Sequence, residues 1–418
     1  MKIAIIGTGI SGLSVAHQLH PHHELTLFEA NHYVGGHSNT VDVNENGKLI
    51  PIDTGFIVLN DWTYPNFIKI LQSLNVDTYD SEMSFSARCE ERQFEWCGNG
   101  ISGLVFNRDN WKKLSAYKML VDIVTFNRLA NRAVQPNSSL GSQQTLGEFL
   151  SINKFSQAFI DYYILPMGAA IWSSSLVDIN QYPALSFLNF FKNHGLLSVS
   201  NQPQWRTIAG GSREYVKKLT QPFRDRIHLN CAIEKVIRHS ESVTLHTSQG
   251  DNFDFDHVFI ACHSDQTLAM LDQASPLEQS TLGAMQYQHN VATLHTDSSI
   301  MPKRRKSWCA WNYLLSQGDD QQAKVTYYMN LLQRLDTHED YFVSLNMEEK
   351  ISPEKIVRSI PYMHPLFNHE AIQAQANFTS INGVNNTWYC GAYWRNGFHE
   401  DGVWSGLEAV KLFKQANG

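Results

Sequence analysis

The 418 residues hold six cysteines, Cys89, Cys97, Cys231, Cys262, Cys309 and Cys390, and no CxxC pair among them. Such scattering supplies neither a disulfide framework nor a thiolate zinc site, and it suits a reducing cytoplasm. No apolar run reaches the roughly 20 residues that a bilayer-spanning helix needs, so integral insertion is not expected, while attachment at the inner membrane surface stays open. Basic residues are in deficit, 33 Lys and Arg against 40 Asp and Glu, and the net charge of -7 argues against nucleic acid as a partner. Internal repeats and low-complexity tracts are missing too. At 43% hydrophobic and 17% charged, the composition is that of a globular chain long enough for two domains. His20, His22 and His23 crowd together, but in a turn between a helix and a strand, so no metal site is assigned.

What is present starts at Lys2. An apolar run, Ile3 to Ile6, enters Gly7-x-Gly9-x-x-Gly12; a helical pattern follows to Leu19, and Leu25 to Phe28 runs into Glu29. Strand, glycine turn, helix, strand and acid are the parts of a dinucleotide site. Gly7 permits the tight turn, Gly9 lets a pyrophosphate reach the backbone, and Gly12 lets helix and strand pack closely. The helix N-terminus offers free N–H groups and about half a positive charge to phosphates, and Glu29 is placed for ribose hydroxyls. A leader peptide is the rival reading of a lysine before an apolar stretch, but it leaves the three glycines and Glu29 unexplained. Gly35, Gly36 and His37 follow, where paired glycines let the backbone run against a further part of a long cofactor. A hairpin is expected from Thr40 to Ile52, turning at Asn46-Gly47.

A second GxGxxG, Gly98 to Gly103, reads as a hairpin turn and not as an NAD site, because no room follows it for a crossover helix. Trp111 to Val134 is a helical pattern with Lys112, Lys113, Lys118, Arg128 and Arg132 beside apolar residues. Its first reading is a core face with solvated cations; its second is a helix lying on anionic lipid. Sheet-like sequence resumes near Trp205. We therefore expect an α/β chain with a Rossmann-type cofactor domain (1–80, 205–265 and 385–418) interleaved with an α+β substrate domain (81–204 and 266–384).

The order of these signals resembles the flavin-containing amine oxidase, protoporphyrinogen oxidase and phytoene desaturase superfamily. The N-terminal GxGxxG, the acid, the glycine pair, the middle Gly210-Gly211 and the C-terminal Cys390-Gly-Ala-Tyr393 through Gly402 all occur in order. A bacterial branch of predicted NAD/FAD-binding proteins is closer still, on Pro166 to Ser173, Asn193-His194-Gly-Leu-Leu, Trp205 to Tyr215 and Trp311-Asn-Tyr313. The resemblance implies noncovalent FAD. It assigns Gly7, Gly9, Ser11 and Gly12 to the pyrophosphate, Glu29 to the adenosine ribose, and Gly35, Gly36 and His37 to the stretch towards the ribityl. Val236 corresponds to a valine whose backbone meets the adenine, Gly391 to the glycine of a Gly-Asp or Gly-Glu pair, and Gly402 and Val403 to the flavin pyrimidine edge. Ala392 stands where relatives carry the acid, so that carboxylate contact is either missing or supplied by Glu400 or Asp401. Lys303 and Lys306 lie in the region of the lysine that amine oxidases place near the flavin, but in a basic loop.

Members of that branch accompany lipid methyltransferases, and related flavoproteins desaturate or isomerise fatty acyl chains. The resemblance thus implies an FAD-dependent oxidoreductase acting on a long apolar substrate, an unsaturated acyl chain of a membrane lipid. Amine oxidation, double-bond isomerisation and a non-catalytic partnership with a lipid methyltransferase are the alternatives. Candidate bases are His194, His399 and Glu400. Of the aromatic residues between Trp308 and Phe398, about three are expected in a pocket wall, as an amine cage or an apolar lining.

Overall fold

The computed structural model describes residues 1–98, 113–138, 140–141, 143–198, 202–316 and 322–418. The second GxGxxG beyond Gly98, and Trp111 and Lys112 of the basic segment, lie outside the described residues.

The strand Lys2–Ile6 is the centre of a five-stranded parallel sheet in the order Ile227–His228, Glu24–Phe28, Lys2–Ile6, His257–Ile260, Thr387–Tyr389. Its continuous apolar run is what a strand covered on both faces requires, and Ile3 to Ile6 are all buried. Chain order runs one way from this strand to Glu24–Phe28 and the other way to His257–Ile260. The glycine turn therefore sits at the carboxyl end of the sheet, at the switch point where doubly wound folds bind ligands. The helix Ile10–Leu19 makes the crossover. The last helix, His399–Asn417, runs beside it in parallel: a Cβ on Gly402 would lie 2.7 Å from Ile10 Cγ2, and one on Gly406 2.7 Å from Ser11 O. Both helices consequently bring their N-termini to the same place.

A seven-stranded sheet forms the other half, ordered Ile356–Leu366, Gln286–His295, Phe342–Leu345, Val325–Tyr328, Trp311–Leu315, Phe85–Cys89, Phe94–Gly98. Helices Leu114–Ala133, Leu165–Trp172 and Ala184–Asn193 share its apolar core. One core gathers side chains from 3–28, 59–71, 208–285 and 371–413; the other gathers 41–57, 87–197 and 292–367. The expected hairpin is present as Thr40–Glu45 and Lys48–Asp53, with Asn46 and Gly47 at φ 52 and 89. The architecture is the expected α/β one, a Rossmann-type sheet joined to an α+β half. Among the described residues no helix is long and apolar enough to cross a membrane.

Candidate functional site

A cavity of about 1250 Å³ runs from the glycine turn into the second half of the molecule. Ordinary small-molecule pockets occupy roughly 300–1,000 Å³, so this one has room for a large cofactor and more. Three glycines shape its first end in three different ways. Gly7 takes φ +97, and a Cβ there would press 2.8 Å against Ala261 O. A Cβ on Gly12 would come within 2.1 Å of Gly7 O. Gly9 has nothing within 4 Å of its Cβ position, so its open side faces the cavity. It caps the first helix with no side-chain hydrogen bond, which leaves the terminal N–H groups uncovered. Gly36, at φ +58, approaches Gly9 closely enough that its Cβ would lie 3.2 Å from Gly9 Cα. Ser11, Gly35 and His37 line the same end.

Glu29 reaches this end fully engaged. Its Oε2 accepts from Thr8 N (3.0 Å) and Thr8 Oγ1 (2.5 Å), and its Oε1 from Asn31 N (2.9 Å) and Asn31 Nδ2 (3.0 Å). Two of these donors are backbone groups that hold the carboxylate in place; the other two are side chains that a ligand hydroxyl can displace.

The three candidate bases part company. His194 ends the helix Ala184–Asn193 and lines the cavity, with its ring 3.8 Å from Phe190 in a stack. Its Nδ1 pairs with Phe190 O at 3.0 Å, which makes Nε2 the acceptor nitrogen of a neutral imidazole. Burial pulls its pKa down to about 4. His399 also lines the cavity, but it is locked in place. It stacks on Phe56 at 3.8 Å, meets Phe67 edge-on, and its Nε2 shares a 2.9 Å hydrogen bond with Tyr215, which continues to Ser38. Burial lowers its pKa to about 3. Glu400 does not reach the cavity. Its Oε1 accepts from Asn66 N and Nδ2 and its Oε2 from Phe67 N, so it caps the helix Pro65–Ser73.

The rest of the wall is apolar and aromatic. Trp311, Tyr327, Tyr393 and Phe398 line it, whereas Trp308, Tyr313, Tyr328, Trp388, Tyr389 and Trp394 pack elsewhere. Among the described residues the lining contains no lysine and no arginine, and its only carboxylates are Glu29, Glu82 and Glu234. Lys303 and Lys306 are exposed and are not part of it.

The family model for flavin-containing amine oxidoreductases matches residues 10–310. The chain belongs to that family. Its curated relative AofH of Mycobacterium tuberculosis, named as a flavin-containing monoamine oxidase, is 24% identical over 265 residues, 60% of this chain and 54% of the relative. The chain thus matches about half the length of that relative. Solved structures extend the likeness in fold to nearly all of it. The CLA-producing fatty acid isomerase from P. acnes gives a TM-score of 0.70 at 16% identity, covering 98% of each chain. Cyclohexylamine oxidase from Brevibacterium oxydans gives 0.70 at 15%, covering 100% of this chain and 99% of that one.

FAD is the cofactor of this amine oxidoreductase family member, and the cavity fits it. The open Gly9 backbone, the uncovered helix N-terminus and the buried Tyr393 hydroxyl, which has no partner among the described residues, are polar groups left for a ligand, and Glu29 lines the same cavity. Four expected contacts are displaced. Val236 is buried in the core and off the wall; Ala232, Ile233 and Glu234, at the start of the strand Ile233–Arg238, form the wall there. Gly402 and Val403 sit inside the last helix, not at its start. Asp401 accepts from Asn396 N and Phe398 N, so the helix begins at His399 and Gly402 serves its contact with the first helix. Glu400 is the fourth. Gly391 does line the cavity, as does Ala392, and neither Glu400 nor Asp401 supplies the missing acid. Sequence reading misses Tyr362 and His364, which share one face of the strand Ile356–Leu366 by simple alternation, and Trp172, which ends the helix Leu165–Trp172 on the cavity wall.

Proposed function

We propose that the protein is an FAD-dependent oxidoreductase that desaturates or oxidises an unsaturated acyl chain of a membrane lipid. One observation carries this reading: where the described residues of 81–205 and 311–367 line the cavity, they bring no lysine or arginine and one acid, the exposed Glu82. A buried ammonium without a partner costs several kcal/mol, so the wall favours an uncharged chain over an amine. The aromatic and aliphatic side chains Tyr163, Ile171, Trp172, Phe190, Tyr327 and Phe398 suit one.

FAD, when bound, supplies two-electron chemistry by accepting a hydride. The chain's part is position, dryness and proton transfer. The first helix and Gly9 hold the pyrophosphate, Glu29 the ribose, and Gly35, Gly36 and His37 the path onward. Aromatic walls keep water from the reacting carbons. A desaturation also releases a proton, and His194, with Nδ1 committed to Phe190 O, presents Nε2 to receive it. His399 acts as a positioning residue through Phe56 and Tyr215.

Mass spectrometry of lipids after incubation with the flavin-loaded protein tests the proposal. The expected product has lost two hydrogens. Amine turnover with unchanged lipid would reject the acyl reading for the amine oxidase one. A shifted double bond at constant mass would replace oxidation by isomerisation, the activity named for the structurally similar P. acnes enzyme.

A further inference from the structure

The helix Leu114–Ala133 has two faces with different tasks. Ala116, Met119, Ile123, Phe126 and Ala130 are buried, and Ile123 and Asn127 reach the cavity wall. The opposite face is apolar as well. Leu114 is 89% exposed, Tyr117 46%, Val121 64% and Val124 58%. Spacings of three, four and three residues put these four on one stripe of the helix. A core-facing amphipathic helix has no use for such a stripe in water. Lys118, Arg128 and Arg132 are exposed on the same side. The only acid in the helix, Asp122, is turned aside to accept from Ser156 N and Oγ. A cationic face that is also apolar and carries no free acid complements an anionic bilayer, which offers both negative headgroups and apolar depth.

We propose that this face is a docking surface for an anionic lipid bilayer. The inference rests on the acyl-chain reading of the cavity and deepens it. One helix then separates membrane from cavity, and a chain enters beside it while its headgroup stays at the surface. The cavity lining offers no lysine or arginine for a free carboxylate among the described residues, which agrees with a chain that arrives esterified.

Flotation of the full-length flavin-loaded protein tests docking without any turnover. Vesicles of saturated phosphatidylglycerol and phosphatidylethanolamine are compared with vesicles of phosphatidylcholine alone. Wild type is expected to float with the anionic vesicles, and to do so less in high salt. Lys118→Gln with Arg128→Gln should lower partitioning about 25-fold, at about fivefold per charge. Val121→Ser with Val124→Ser should lower it by about tenfold. Both pairs are exposed, and an unchanged flavin spectrum and far-UV circular dichroism identify folded variants. Wild type that stays at the bottom, or variants that float as wild type does, would overturn the proposal. So would a dimer in light scattering that both variants dissolve, because the face would then join two copies. Saturated lipids cannot report on turnover at a double bond, so failure of the acyl chemistry leaves this result standing.

Discussion

Two alanine substitutions three residues apart should have opposite consequences. Gly9 has φ -67 and ψ 176, which alanine adopts, and its Cβ position is open. Gly9→Ala should therefore leave the apoprotein within about 1 kcal/mol of wild type, the usual cost of alanine at a helix N-cap. The added methyl points into the space where the pyrophosphate meets the helix N-terminus. Losing one backbone hydrogen bond to a charged group costs about 1.5–3 kcal/mol, which predicts FAD binding about 10- to 150-fold weaker. Gly12→Ala is different. Its Cβ would lie 2.1 Å from Gly7 O and 3.2 Å from Ala261 Cβ, and the nearer contact is backbone that cannot turn aside. The fold itself should lose about 3 kcal/mol or more. Urea melts of the apoproteins and fluorescence titration with FAD separate the two effects. Gly9→Ala that binds FAD within threefold of wild type, or Gly12→Ala that is as stable as wild type, would refute this placement of the cofactor.

Further outcomes follow from the same geometry. Glu400→Ala strands the N–H groups of Asn66 and Phe67 and should cost about 2 kcal/mol in urea melts, while the folded fraction keeps its flavin and its turnover per flavin. His194→Phe keeps the stack on Phe190 and should retain FAD, yet slow lipid turnover by about 100-fold; stopped-flow with wild-type rates would show that His194 takes no proton. Acid should destabilise the apoprotein below pH 6.5. Burial lowers His194, His295 and His364 to about 4 and His399 to about 3, so the native state binds fewer protons than the unfolded chain as pH falls. Burial raises Asp53 and Asp401 to about 6, which opposes this. Near pH 5 the histidines outweigh the aspartates by about two protons, or roughly 3 kcal/mol per pH unit. A stability that is flat or rising from pH 6.5 to 4.5 would contradict the burial of these imidazoles.

The cofactor end was legible because its parts are local. Gly7, Gly9, Gly12 and Glu29 belong to one strand-helix-strand unit, where glycine spacing alone specifies a turn, an approach and a packing contact. The substrate end is assembled from distant segments. Nothing near Tyr362 or His364 in the chain announces that the strand Ile356–Leu366 turns them towards His37, with ring centroids at 4.7 and 5.6 Å. Adjacency also misled. Glu400 stands next to His399 in the chain, but a helix turns consecutive residues about 100° apart, so one faces the cavity and the other caps a neighbouring helix. Gly402 has the composition of a ligand contact and the job of a helix contact, a difference visible only once the first helix lies against it. Val236 sits in the core on a strand whose first residues, Ile233 and Glu234, line the wall, a difference of two or three positions that composition does not mark.

The acyl-chain reading is most directly tested by the visible spectrum of the bound flavin under anaerobic conditions. Vesicles with monounsaturated or methyl-branched chains should bleach the oxidised flavin bands, while putrescine and cyclohexylamine should leave them unchanged. Bleaching by the amines and not by the lipid would contradict the reading and make the protein an amine oxidase.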